Sequence, residues 1–116
     1  MSHKGSCHCG KVSYEVEGDF DQVMECNCSH CTAKGLLLWF VPRQQLKLTS
    51  PESGLKTYTF NKQIIKHQFC PDCGTQPFAY GVDPKSGNPM AAINVRCLQD
   101  VDVAKLKRVS FDGASL

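Results

Sequence analysis

The sequence predicts a mainly β domain, and three observations carry that expectation. Apolar and polar residues alternate at a two-residue period, apolar runs are short, and clusters of Gly, Pro, Asn, Asp and Ser separate them. Many short strands between turns fold as stacked sheets or a partly open barrel, with little helix. The chain's 116 residues suffice for one domain over residues 1–116, small enough for a metal cross-link to matter to stability.

Val12, Tyr14 and Val16 alternate with Lys11, Ser13, Glu15 and Glu17, which places a strand near residues 11–17. Gly10 directly follows Cys9, so a tight turn joins this strand to a shorter one before it. Asp19-Phe20-Asp21 breaks the pattern, and Val23-Met24 leads into a second cysteine cluster. Ser29 to Lys34 forms a helical turn that Gly35 ends. Leu36 to Val41 reads as a buried strand stopped by Pro42, being too short for a helix. Further strands are expected at Leu46–Thr49, Lys56–Phe60, Ile64–Phe69, Gln76–Tyr80 and Met90–Val95. Between them lie turn signals such as Asn61-Lys62, Pro71-Asp72-Cys73-Gly74 and the segment from Asp83 to Pro89. Asp102 to Lys105 reads as one short helical turn.

The formal net charge is +2, and the basic residues are scattered apart from Lys105, Lys107 and Arg108. This is a weak footprint for nucleic acid, and the short cluster reads as a solvated charged face. The first residues carry no apolar core of an export signal, and Leu36–Val41 is too short to span a bilayer. A soluble, cytoplasmic protein without a membrane partner is expected.

Seven of the eight cysteines fall in three clusters: Cys7 and Cys9; Cys26, Cys28 and Cys31; Cys70 and Cys73. A disulfide scaffold is the competing reading, but bunched thiols without an export signal favour metal ligation in a reducing compartment. Cys70-Pro71-Asp72-Cys73-Gly74 has the composition of a zinc knuckle, with a turn whose N–H groups can face the sulfurs. A redox Cys-x-x-Cys normally opens a helix in a βαβ unit, whereas this pair lies among predicted strands. One knuckle needs two more ligands, and Cys7 with Cys9 is the natural complement for a closed structural site. Cys26, Cys28 and Cys31 then remain as three ligands with a fourth position for water or substrate, the usual arrangement of catalytic zinc. The alternative is a second structural site completed by His30, Cys97 or another side chain. His30, between two ligands, is expected to point away from their shared metal toward solvent or a supporting contact, and Cys97 to serve as a packing residue.

Four segments taken together resemble the glutathione-dependent formaldehyde-activating enzyme family, which includes the domain of centromere protein V. They are Gly5-Ser6-Cys7-His8-Cys9-Gly10-Lys11-Val12-Ser13-Tyr14, Cys26-Asn27-Cys28-Ser29-His30-Cys31, Phe69-Cys70-Pro71-Asp72-Cys73-Gly74-Thr75 and Ile93-Asn94-Val95-Arg96-Cys97-Leu98. The resemblance implies an Mss4-like fold of stacked antiparallel sheets with zinc-bound turns. It implies two zinc ions: a structural one on Cys7, Cys9, Cys70 and Cys73, and a catalytic, more weakly occupied one on Cys26, Cys28 and Cys31. It further implies a carbon-sulfur lyase that joins glutathione and formaldehyde as S-hydroxymethylglutathione, with a small-molecule thiol as partner. The alternative from another class is a non-catalytic zinc module that binds a protein through an exposed Leu36–Val41 and Trp39. A nucleic-acid-binding zinc ribbon has less support, since only Cys70 and Cys73 form a clean Cys-x-x-Cys.

Overall fold

In the computed structural model, which describes residues 2–59, 65–83 and 85–112, two sheets stack on a shared core. The strands are β1 (Ser2–Ser6), β2 (Ser13–Glu17), β3 (Gln22–Cys26), β4 (Leu38–Pro42), β5 (Leu46–Leu48) and β6 (Lys56–Tyr58), then β7 (Lys66–Phe69), β8 (Phe78–Val82), β9 (Pro89–Asn94) and β10 (Lys107–Phe111). Among the described residues a single short helix, α1 (Ser29–Lys34), interrupts them, with 3-10 turns at several strand ends. Phe60, Asn61, Lys62 and Ile64, parts of the expected elements there, and Pro84 lie outside the described residues.

The smaller sheet has the order β1-β2-β5 and the larger β10-β3-β4-β9-β8-β7-β6. Neighbours are antiparallel except β10, which lies parallel to β3. The alternation around Tyr14 does what its period requires. Val12, Tyr14 and Val16 are buried, and the Tyr14 ring meets Phe78 of the other sheet edge-on at 5.1 Å. Fully burying an aliphatic side chain such as Val12 or Val16 stabilises by roughly 1.5–3 kcal/mol. Across the β1–β2 pairing Tyr14 faces Gly5, and its ring occupies the space a Cβ there would need. Gly5 is therefore a close-approach glycine rather than a turn glycine.

The run from Leu36 to Val41 differs from the expected buried strand. Leu36 and Leu37 are buried before the strand starts, after which Trp39 and Val41 point inward while Phe40 is 46% exposed. The sheet is covered on one face here, so alternation returns despite an all-apolar sequence. Trp39 packs against Phe20 at 4.6 Å and His3 at 5.6 Å between ring centroids, which removes it from the surface. Pro42 is the last residue of β4, where a missing N–H is tolerated, and a turn at Arg43–Gln45 follows.

Two strands carry no alternating signal in the sequence. β3 grows out of Val23-Met24, and β10 is exposed along its whole length, held by backbone pairing with β3 and by Arg108 against Glu25 at 3.3 Å. Asp102 caps the expected turn, its carboxylate accepting from the Ala104 N–H at 3.2 Å. No helix among the described residues is long and apolar enough to cross a membrane.

Candidate metal centres and an adjoining cleft

Two turns far apart in sequence build the first thiol cluster. Cys7 follows β1; the Cys7 N–H donates to the Val12 carbonyl at 3.0 Å, the Gly10 N–H to the Cys7 carbonyl at 3.2 Å, and the Val12 N–H to Cys7 Sγ at 3.3 Å. Gly10 turns the chain with a φ of 84°. The knuckle closes in the same manner, with the Gly74 N–H on the Cys70 carbonyl at 2.8 Å and Gly74 at a φ of 79°. Lys11 and Asp72 clip the two turns together at 3.0 Å.

Cys7, Cys9, Cys70 and Cys73 thereby bring four sulfurs within 4.8 Å of one another, with Cys9 3.6 Å from both Cys7 and Cys70. A tetrahedron with Zn–S bonds of about 2.3 Å has S···S edges of about 3.8 Å, so the set fits such an ion. Its acid–base state points the same way. The Thr75 hydroxyl and backbone N–H hold the Cys73 thiol down at about 5. Cys9 gains stabilisation of its thiolate from the Lys11 N–H, yet the neighbouring thiols push it up to about 12. Packed sulfurs cannot all ionise without a cation among them.

The second cluster is local. Cys26 ends β3, Cys28 is the N-cap of α1, and Cys31 lies within the helix. The Cys28 N–H donates to Cys26 Sγ at 3.5 Å and the Cys31 N–H to Cys28 Sγ at 3.4 Å. Gly35, left-handed at a φ of 65°, ends the helix by donating to the Cys31 carbonyl. The parallel strand β10 latches the loop: the Asn27 N–H reaches the Phe111 carbonyl at 3.1 Å and its amide donates to Asp112 at 2.9 Å. The three sulfurs lie within 4.8 Å of one another. Burial pushes the Cys31 thiol up; Cys28, against its own burial, is held low by the Cys31 N–H.

Neither further candidate ligand joins these sets. Cys97 is half-buried against the core, accepts from the Asn94 amide at 3.7 Å, and has its thiol pushed up to about 11 by burial. His30 is buried rather than solvent-facing, its ring 3.9 Å from that of His67 and stacked near Tyr58 at 5.8 Å.

His30 of that pair borders a cleft of about 330 Å³ lined also by Ser29, Ala33, Lys34 and Tyr58. Lys34 Nζ donates to Gln76 Oε1 at 2.8 Å, and Gln76 Nε2 lies 3.4 Å from His67 Nδ1. Burial, then the nearby His30 and Lys34, push His67 down to about 4, and burial lowers Lys34 as well. Sequence reasoning did not single out Lys34, Tyr58, His67 or Gln76. His30 and Lys34 stand at helical i,i+4 spacing and were legible as one face. The other three arrive from distant strands and loops.

A mainly β chain with two sheets and two turn-borne thiol clusters defines a class of small domain able to hold metal at two places. A family model described as glutathione-dependent formaldehyde-activating enzyme matches residues 2–111, and the chain belongs to that family. It is also similar to the crystal structure of a Rhodobacter sphaeroides protein solved as a structural genomics target. That likeness has 27% identity and a TM-score of 0.77, and covers 91% of this chain and 99% of the other.

Proposed function

We propose that the chain, acting as one domain over residues 1–116 in a reducing cytoplasm, is a zinc-dependent carbon-sulfur lyase acting on glutathione–aldehyde adducts. The observation that carries this reading is the unequal pair of thiol sets. One has four sulfurs, a complete tetrahedral shell, and the other has three, two of them on or capping the short helix whose Ser29, His30, Ala33 and Lys34 line a cleft. In this reading Cys7, Cys9, Cys70 and Cys73 hold a structural ion, and Cys26, Cys28 and Cys31 hold the functional one. Zinc bound there supplies Lewis acidity and a soft position suited to a sulfur ligand.

The chain's own residues do the rest. The N–H groups of Cys28 and Cys31 steady the thiolates, and the helix start fixes their three directions. The cleft along α1 orients the thiol beside the aldehyde, which turns an encounter in solution into a positioned reaction. In the forward direction the substrate sulfur forms a bond to the formaldehyde carbon, the carbonyl π pair moves to oxygen, and the thiol's proton ends on that oxygen. The reverse breaks the same carbon–sulfur bond.

Exchange between ¹³C-formaldehyde and glutathione, followed by NMR with the zinc-loaded protein, tests the proposal. Adduct formation and breakdown accelerate well above the spontaneous rate; a rate equal to buffer sinks the lyase reading. Isothermal titration with glutathione separates the enzyme from a non-catalytic zinc module, which shows no saturable, zinc-dependent binding at millimolar ligand.

A further inference from the structure

We propose that Lys34 is the carboxylate-recognition residue of the cleft, so that the site selects thiols bearing a carboxylate over neutral ones. This rests on the thiol-binding reading above and adds the chemical feature by which the thiol is chosen.

Position is the first argument. Lys34 lies three residues beyond Cys31 on α1, a rise of about 4.5 Å. It shares the cleft with Ser29, His30, Ala33 and Tyr58. Residues three apart are neighbours on a helix surface, so a thiol whose sulfur reaches Cys31 and its partners has its remaining atoms within reach of Lys34. The cleft's volume of about 330 Å³ is at the lower end of what small-molecule sites offer.

Charge is the second. A lysine that merely complemented the carbonyl end of a helix would extend into water. The Lys34 ammonium instead turns to the Gln76 side-chain oxygen at 2.8 Å, with the Phe69 ring centroid 5.6 Å away and that of Tyr58 6.0 Å away. Among the described residues no carboxylate lies within ion-pair distance of it. An ammonium carries three donors, and the neutral amide of Gln76 fixes its place without cancelling its charge. The side chain also keeps an accessible flank, so a ligand can reach it. Three thiolates carry more negative charge than a divalent ion neutralises, which disfavours an anionic ligand unless a cation stands nearby. Lys34 is the lysine that α1 supplies at that place.

The test is isothermal titration of the zinc-loaded protein with glutathione and with its diethyl ester, in which both carboxylates are masked. The wild type binds the acid about tenfold or more tighter than the ester, the scale of one charge-assisted hydrogen bond. In Lys34→Met the ratio falls to about one, whereas Lys34→Arg keeps most of it. Lys34→Gln removes the charge while retaining a donor for Gln76, and serves if Lys34→Met does not fold. A ratio near one in the wild type, or an undiminished ratio in the uncharged variants, overturns the proposal alone. Failure of both acid and ester to bind overturns the thiol-binding reading and this proposal with it.

Discussion

The four-thiol and three-thiol clusters use the same side chain for opposite kinds of construction. Cys7 and Cys9 meet Cys70 and Cys73 across some sixty residues of chain, and two of these sulfurs are rooted in the core, Cys7 at 2% exposure and Cys70 at 0%. Cys26, Cys28 and Cys31 come from six consecutive residues, where a strand end meets a helix start, with Cys26 and Cys28 half-buried. A long-range cluster closes a large loop, so whatever binds it stabilises the fold. A local cluster closes almost none. Its geometry is set by a helix cap and a latch, and the same helix lines an open cleft. In the proposed reading, distance along the chain separates the cluster assigned to hold the domain together from the one assigned to chemistry.

The strongest way to break this contrast is Cys73→Ala. It removes one of four ligands from the long-range set, with an expected loss of about 4 kcal/mol or more of stability and of one equivalent of metal. Denaturant titration and metal analysis read both; an unchanged midpoint and metal content would show that the four-thiol set is no cross-link. Cys28→Ser attacks the other side. Serine keeps an N-cap acceptor for the Cys31 N–H, an oxygen in place of the sulfur, so stability should fall by less than about 1 kcal/mol. Adduct turnover should fall by more than about 100-fold, beyond the effect of losing a supporting partner. Large unfolding with little loss of turnover would reverse the assignment of the two clusters.

A smaller effect sharpens the contrast around the cleft. His67 is held at about 4 by burial and by the neighbouring His30 and Lys34, below the ordinary imidazole value of 6.5. Between those values the unfolded chain takes up a proton that the folded chain refuses, so stability falls as pH drops from about 6.5 toward about 4. Comparing unfolding midpoints at both ends of that window, His67→Gln should shallow the fall by about 1 kcal/mol relative to wild type. Acid loss of metal is common to both proteins and cancels in the difference. An equally steep fall in the variant would place the acid sensitivity elsewhere.

Much of the fold was legible because local rules and tertiary demand agreed. The alternation around Tyr14 predicted β2 and its buried face, Gly35 ended α1, and Gly10 and Gly74 took the positive φ their turns need. Leu36–Val41 misled because an all-apolar run has no visible period; only the sheet's one-sided covering decided that Phe40 faces out. β10 was missed for the opposite reason. None of its five residues is buried, and the backbone ladder to β3, with the Arg108–Glu25 pair, makes them a strand.

By itself the sequence determined the cysteine clusters, their partition into four and three, and the turns that present them, since ligand spacing and glycine chemistry act within a few residues. The tertiary structure decided what surrounds them. It brought His67, Tyr58 and Gln76 to the helix that carries His30 and Lys34, and with Tyr58 turned a helix face into a cleft. Those partners come from separate segments, and only the packing of strands against α1, which no local period encodes, puts them in contact.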